Sequence, residues 1–507
     1  MFEWKFGEVL RVVVMLVVRL RDLNTELVKR LAHLTRPRPR SESLERLEAQ
    51  LLLPLFAQAA KSRNIDEATA PAKKKGKRDK PQGSGRRSDF PAHLERVPVH
   101  NWLTPEQRVC PLCGEPMKLV SHAPCERYNV IPARIVIEQR WDETVACKND
   151  DTIVYAAAPA SIVEGGILGN ELVIEATCDK FIDHLPIERQ CARWAQAGAH
   201  ISPATLGRSV AAHIDLLRPI SDAIIEQTRG PGYLATDATG IPILDPTTDD
   251  GIRNGSMWCW TNAYWVAFFY SPRGDADCVS RFLGGDNKRV VQGDGTSVLN
   301  CIEKAGGLRP GCWSHGRRGF VLAARGGDTL ALKMVRLIAP LFKIERDAKL
   351  AGETALERKE RRQRCSVPVV AEVRAFLDEQ RALVPPKTPL GKALGYLHRQ
   401  WKRLILFLDD GNIELTNNRR KRELRKLVQG RKNWLFTWKD VGGERTASIL
   451  TILATCVSFE LNPRAYLHVV TKHILNGWPK ARLRELLPDQ IVQLHPELAV
   501  VPRADAE

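Results

Sequence analysis

YLATDATGIPIL (Tyr233–Leu244) is the stretch that indicates the fold of the largest part of this chain. It is short, rich in Thr, Ile and Leu, and interrupted by Gly240 and Pro242. Similar runs follow it: SMWCWTNA (Ser256–Ala263), YWVAFFYS (Tyr264–Ser271) and KRVVQGDG (Lys288–Gly295). Short β-rich runs bounded by Gly, Pro and Asn are typical of the strands of a sheet. The sequence therefore predicts a sheet over residues 231–300.

Helical patterns lie on both sides of this predicted sheet. Residues 170–228 and 320–408 have helical periodicity, and LTNNRRKRELRKLVQGRKNWLF (Leu415–Phe436) is typical of one helix. Strands, a long helical interruption and then a further helix predict an α/β core with an inserted helical lobe.

The chain is expected to contain several domains, because 507 residues are too many for one hydrophobic core. The predicted parts are an N-terminal helical or coiled-coil segment (1–60), a flexible basic linker (61–100), a zinc-finger-like domain (101–160), a helical DNA-binding subdomain (165–228), an α/β core (229–460) with a helical insertion at about 320–395, and a helical tail (461–507).

The charge of the chain indicates a polyanionic partner. Lys and Arg number 76 and Asp and Glu number 59, which gives a net charge of +17 and a pI near 9.4. The positive charge is concentrated in AKKKGKRDKPQGSGRR (Ala72–Arg87) and in Leu415–Phe436, each with eight basic residues and one acid. Nucleic acid is the simplest such partner. The alternative is a basic protein without a nucleic-acid role.

The N-terminus and the cysteines predict a cytoplasmic protein. The apolar run Val12–Val18 is bracketed by Arg11 and Arg19 and is too short to span a membrane. The twelve cysteines are scattered along the chain, which favours a reducing compartment over a disulfide scaffold. We therefore expect no membrane association.

Leucines repeat at steps of three and four within residues 8–35, at positions 16, 20, 23, 27, 31 and 34. This spacing predicts an amphipathic helix, which either forms a short coiled coil that joins copies of the chain or packs on its own domain. The first alternative makes a homo-oligomer the expected state.

CPLCG contains half of a zinc site, Cys110 and Cys113. Cys147 is the third expected ligand, and Cys125 is another candidate. Asp150 stands where the fourth thiolate of a second CxxC is expected. The alternative is a folded loop that has lost its metal.

Two aspartates in the predicted strands are candidates for chemistry. Asp237 falls in the middle of its strand, where a carboxylate is unfavourable unless its charge is used, and Asp294 ends another strand between two glycines. Oxygen ligands fit Mg²⁺ or Mn²⁺, and two such ions can cut a phosphodiester. Each aspartate taken singly is otherwise a turn former.

Several motifs resemble one known family. GCWSHGRRGF (Gly311–Phe320), Thr416–Phe436 and GGERTASILTILATCVSFELNPRAYL (Gly442–Leu467) are similar to the transposases of the insertion sequence 66 family, as are HLPIERQ, CPLCG and LVKRLAHL. The resemblance implies an RNase H-like core with an Asp-Asp-Glu triad that cuts and rejoins DNA at the ends of a mobile element. It also implies terminal inverted repeats and target DNA as partners, together with accessory proteins, in the nucleoid of a bacterium.

Carried over by position, the family's first two carboxylates fall on Asp237 and Asp294. The third falls on Lys421, three residues after Asn418 and nine before Gly430. Glu423 is the nearest acid, but two residues on a helix turn about 200° away from position 421. Glu423 therefore becomes a ligand only if the helix begins later or is rotated.

Further residues are expected to contact DNA: His315, Arg317, Arg318, Arg420, Arg431 and Lys432. The alternatives are a buried structural histidine and a solvated basic helix face. For the whole chain, the resemblance predicts a transposase, impaired because Lys421 replaces a carboxylate. The alternatives are a non-catalytic DNA-binding relic or regulator, and a structure-specific nuclease.

Overall fold

The computed structural model describes the backbone of residues 135–140, 144–146, 153–155 and 159–500, and their side chains except those of 144–146, 153–155 and 418–421. The predicted coiled coil, the basic linker, and Cys110, Cys113, Cys125, Cys147 and Asp150 lie outside the described residues, as do the side chains of Arg420 and Lys421. Residues 135–137 belong to a separate unit. All elements below belong to the other unit.

The described part of the chain is rich in helices. Its α-helices are α1 (Asn170–Phe181), α2 (Ile187–Gln196), α3 (Pro203–Leu216), α4 (Arg218–Thr228), α5 (Ala276–Leu283), α6 (Asn300–Lys304), α7 (Trp313–Arg325), α8 (Thr329–Leu350), α9 (Ala355–Arg361), α10 (Val367–Leu383), α11 (Pro389–Leu404), α12 (Asn418–Trp434), α13 (Lys439–Ser458) and α14 (Pro463–Leu475). Its strands are β1 (Thr144–Ala146), β2 (Ile153–Tyr155), β3 (Leu234–Leu244), β4 (Ile252–Thr261), β5 (Val266–Ser271), β6 (Val291–Gln292) and β7 (Thr437–Trp438).

The larger sheet is mixed and has β3 at its centre. Strands β5, β4 and β3 form an antiparallel meander, and β6 then pairs in parallel with the start of β3. Strand β7 pairs in parallel with the other end of β3. Strands β1 and β2 form a separate antiparallel pair. The predicted α/β class is confirmed, with the predicted strand runs forming β3 to β6.

Helices cover both faces of this sheet. On one face Ile241 and Ile243 of β3 pack against Leu424 and Leu427 of α12, and α13 packs beside them. On the other face Trp260 stacks on Phe282 of α5, with ring centroids 4.3 Å apart. Alternation along the strands therefore produces two buried faces.

Helix α13 closes the outer edge of the sheet. Its Thr451 hydroxyl accepts from Phe268 N at 2.8 Å, and its Thr455 hydroxyl donates to Val266 O at 2.8 Å. These are backbone groups of the edge strand β5, which would otherwise have no partner on this side.

The helical interruption forms a lobe with its own core. Trp313, Met334, Leu377 and Leu397 are among its buried side chains. The prediction placed this insertion at about 320–395. The observed helices extend further, from Trp313 to Leu404.

Helices α1 to α4 form a packed layer with α13 and α14. Helix α3 begins as its sequence predicts, because Ser202 Oγ accepts from Thr205 N at 3.1 Å and Pro203 occupies the first helical position. Within the described residues, no helix is long and apolar enough to cross a membrane.

The histidine at the centre of this layer predicts a loss of stability in acid. His213 is fully buried, and its ring nitrogens lie 2.8 Å from the hydroxyls of Thr177 and Thr471. Burial lowers the pKa of His213 from 6.5 to about 4. The neutral, buried His213 therefore makes its full contribution to the free energy of unfolding above pH 6.5. This contribution decreases as the pH falls below 6.5 and is lost below about 4, a total of about 3 kcal/mol.

We expect urea unfolding between pH 7 and 4 to show a smaller pH slope for His213→Gln than for the unmodified chain. His200 is exposed, so His200→Gln is the matched control and should retain the original slope. Equal slopes for all three proteins would contradict the assignment.

Candidate active site

Asp237 and Asp294 occupy equivalent positions on neighbouring parallel strands. The β3–β6 register pairs Leu234 with Val291 and Ala235 with Gln292. Each aspartate comes two residues after the last of these pairs. Because neighbouring strands lie about 4.8 Å apart, the chain brings the two carboxylates to the same edge of the sheet.

Gly293 allows this close approach. A Cβ built on it would overlap with Cδ1 of the buried Leu299 and would lie 3.8 Å from Thr236 Cγ2. The space beside β3 is therefore already filled by Leu299. A larger residue at position 293 would therefore force Leu299 or the Asp294 loop to shift.

A buried arginine holds the loop that carries Asp294. Arg309 is 1% exposed and donates to Asp294 O at 2.7 Å, to Thr296 O at 2.5 Å and to Asn300 Oδ1 at 2.5 Å. Asp294 Oδ1 accepts from Thr296 N at 3.1 Å. The sequence offered no signal for Arg309, because a single arginine between Leu308 and Pro310 has no motif around it.

The start of α12 is fixed against β3. Asn417 is fully buried, and its Nδ2 lies 3.5 Å from Thr236 O, while its Oδ1 accepts from Cys312 Sγ at 3.1 Å. An asparagine directly before a helix ordinarily caps it by accepting from the first free backbone N–H groups. Asn417 occupies the N-cap position but makes no capping hydrogen bond, because its amide is used to join the helix to Thr236 and Cys312.

Glu423 has a partner on its own helix. The carboxylate is half-buried and lies 2.9 Å from Lys426 Nζ. Burial lowers the pKa of His184, and the charge of Lys426 lowers it further, so this flank of α12 lies towards the loop after α1. Position 421 is about 200° around the helix from Glu423.

The two aspartates fit one hard cation by their donor chemistry, since both offer carboxylate oxygens from one sheet edge. Among the described side chains, no three His, Cys, Asp or Glu residues converge on a metal-sized space. The side chain at position 421 lies outside the description. In the sequence this residue is a lysine, so it adds no carboxylate.

The expected DNA-contacting residues differ in how accessible they are. Arg317 is 8% exposed and lies over the Phe342 ring, with 5.7 Å between its Cζ and the ring centroid. Arg431 donates to Gly240 O and lies 3.4 Å from Thr239 Oγ1, which holds α12 on β3. Arg318 and Lys432 are exposed.

A groove of about 500 Å³ begins at Asp294 and lies between α7 and α11. It is lined by Asp294, Gly295, His315, Gly316, Arg318, Gly319, Leu322, Pro389, Lys392, Ala393 and Tyr396. It therefore brings together Asp294, His315 and Arg318. Lys392 and Tyr396 were missed because they are about a hundred residues further along the chain, in a helix without a recognised motif.

Tyr396 forms the wall of the groove next to Asp294. A Cβ built on Gly295 would lie 3.0 Å from Tyr396 Oη, so the phenol covers the loop that follows Asp294. Burial raises the pKa of Tyr396, and the charge of Asp294 raises it further. The phenol therefore stays neutral and can donate a hydrogen bond at neutral pH.

The fold and site define a mixed α/β protein with an acidic strand edge beside a cationic groove. The chain belongs to the family described as "Transposase IS66 family", which matches residues 165–445 and includes both aspartates. This confirms the resemblance and supports a transposase-type function.

Three relatives come from Sinorhizobium fredii (strain NBRC 101917 / NGR234), and each is 28% identical to this chain. The "Uncharacterized protein y4qI" aligns over 434 residues, 81% of this chain and 78% of the relative. The "Uncharacterized protein y4jD" covers 81% of this chain and 85% of its own length, and "Uncharacterized protein y4hP" covers 89% and 85%. No solved structure matches the chain.

The Arg309 contacts predict a large stability effect. Arg309→Met should lower the free energy of unfolding by about 3 kcal/mol, because it removes the buried donor of three part-buried acceptors. Arg346 is exposed on α8, so Arg346→Met should change the free energy of unfolding by less than about 0.5 kcal/mol. Urea unfolding of both variants measures the difference, and equal small losses would show that the loop does not depend on Arg309.

Proposed function

We propose that this chain is a DNA transposase that binds the ends of its own insertion sequence and cuts and joins DNA there. The observation that carries the proposal is the family match over residues 165–445, together with Asp237 and Asp294 at one sheet edge inside it. The net charge of +17 supports DNA as the partner.

We further propose that β3 to β6 and their helices are an RNase H-like core. The support is the central β3, paired antiparallel with β4 on one side and parallel with β6 on the other. The helical lobe enters between Asp294 and α12 in sequence, as the order of strands and helices predicts.

Asp237 and Asp294 would hold Mg²⁺, or Mn²⁺, through their carboxylate oxygens. A bound ion of this kind supplies charge neutralisation at a phosphodiester. The protein itself contributes the orientation of the two carboxylates through Gly293 and Arg309. Arg318 is exposed at the groove and offers its guanidinium to a DNA phosphate.

Lys421 is proposed to impair the cutting step. Its ammonium cannot ligate a metal while protonated, and it opposes cations held by the aspartates. The second candidate function is a DNA-binding regulator of the same family without catalysis. The position of Glu423 favours it, because this nearest acid lies about 200° around the helix from position 421.

The remaining parts of the proposal concern partners and location. We propose that the chain acts as a homo-oligomer on the terminal inverted repeats and target DNA, with accessory proteins of the element, at the bacterial nucleoid. We also propose a zinc site with Cys110, Cys113 and Cys147.

The zinc proposal predicts about one zinc per chain in the purified protein, retained on dialysis. Cys110→Ser should lower the zinc content towards zero. Cys365 lies outside the predicted site, so Cys365→Ser should leave the zinc content unchanged. Metal analysis by atomic emission measures this. Zinc below about a tenth of an equivalent in the unmodified chain would contradict the site.

The DNA proposal predicts salt-dependent binding to element ends. Five or six phosphate contacts should give a slope of log K against log [salt] of about −4 to −6. Fluorescence anisotropy with a duplex of the terminal inverted repeat, against a scrambled duplex of equal length, measures both affinity and specificity. Absent or salt-insensitive binding would remove the basis of the proposal.

The Lys421 proposal predicts a gain of activity. Lys421→Glu should raise Mg²⁺-dependent nicking of an element-end duplex by roughly a thousandfold, because it adds the third carboxylate. Glu423→Gln should change the rate little. If Glu423 is itself the third ligand, the unmodified chain should cut well, Glu423→Gln should abolish cutting and Lys421→Glu should have no effect.

A further inference from the structure

The groove between α7 and α11 has a shape that follows from two glycines. A Cβ on Gly319 would lie 2.8 Å from Ala393 Cβ, and one on Gly316 would lie 3.1 Å from Leu397 Cδ1. The helices therefore touch at their base, and the groove opens above this contact. The groove between helices packed this closely, with axes about 8–10 Å apart, is too narrow to enclose a DNA duplex, so a single strand is the form of DNA considered for it.

The two walls of the groove are similar in composition. On α7 Arg318 is followed one turn later by Leu322, which is 60% exposed. On α11 Lys392 is followed one turn later by Tyr396. Each wall thus offers a cation for a phosphate and an apolar or aromatic surface for a sugar or base, the combination that single-strand sites use.

The lining residues follow one another along the groove in a fixed order, starting at Asp294. Gly316 faces Leu397 and Gly319 faces Ala393, so α7 and α11 run antiparallel. Asp294 and Tyr396 lie at one end, Arg318 and Lys392 follow, and Leu322 and Pro389 lie at the other. From position 315 to 322 the helix rises about 10 Å, which matches about three stacked nucleotides of one strand at about 3.4 Å each.

We propose that this groove binds about three unpaired nucleotides of a DNA strand that continues from the phosphate at Asp294. Arg318 and Lys392 contact its phosphates, and Tyr396 and Leu322 contact its sugars and bases. This inference rests on the proposed function and adds to it that the DNA at the element end is opened locally. The strand leaves the aspartates along the helical lobe.

The test compares two double variants with the same change in charge. Arg318→Gln with Lys392→Gln removes the groove cations, and Arg346→Gln with Lys349→Gln removes two exposed cations of α8 outside the groove. All four residues are exposed, and thermal unfolding checks that both variants fold. The probes are an element-end duplex and the same duplex with a three-nucleotide dT arm at the expected cut.

The unmodified chain should bind the armed duplex more tightly than the blunt one. The groove variant should lose at least tenfold in affinity for the armed duplex and should bind both probes alike, whereas the α8 variant should retain the preference. With 5-iodouracil in the arm, ultraviolet cross-links should fall within residues 315–322 or 389–396.

Two results would overturn the inference in different ways. If both variants lose the same affinity for the armed duplex, or if the arm cross-links outside these helices, the groove does not bind the strand. The proposed binding of element ends is unaffected by either result. No affinity of the unmodified chain for either probe refutes the proposed function, and the groove with it. Tyr396→Phe should keep the preference for the arm and Tyr396→Ala should reduce it, since the aromatic ring makes the contact.

Discussion

The rest of the structure depends on an opening beside β3. In the described part of the chain, the middle of this strand has a neighbouring strand on one side only. On one side β3 pairs with β4 from Ala235 to Leu244. On the other side it pairs with β6 only at Leu234 and Ala235, and with β7 only at Ile243 and Leu244. Within the described residues, the backbone between these pairs has no strand beside it, and Asp237 lies in this interval.

Helix α12 fills part of that opening with side chains. Asn417 lies against Thr236 O at one end, and Arg431 donates to Gly240 O further along. A buried strand edge needs such partners, because unpaired backbone groups are costly. The same contacts fix the position of α12, so the residue at 421 is placed by a helix that cannot rotate freely. The proposed role of Lys421 depends on this placement.

The sequence could predict those parts of the fold that depend on local pattern. Asp237 within a strand, Asp294 at a strand end and Ser202 as a helix cap all follow from neighbouring residues. The two-residue strand β7 could not be predicted, because its pairing with β3 depends on where the end of α12 places Thr437. Arg309, Lys392 and Tyr396 could not be predicted either, because only the packing of distant helices brings them to Asp294.

Tertiary contacts replace the expected helix cap at Asn417. Asparagine before a helix ordinarily bonds to the first free N–H groups. Here the side chain is enclosed by Cys312 and Thr236, and tertiary contacts take its hydrogen bonds. Arg431 is a similar case, because a cation in a basic run was expected to face DNA and instead holds the helix to the sheet.

The threonines of α13 have a consequence for assembly. Because Thr451 and Thr455 occupy the backbone groups of Val266 and Phe268, the β5 edge cannot accept a strand from a second copy. Continuous sheets shared between subunits are thereby excluded at this edge. In the proposed homo-oligomer, the sheet that carries the aspartates is therefore not continued into a second copy through β5, and copies can separate without breaking its hydrogen bonds at this edge.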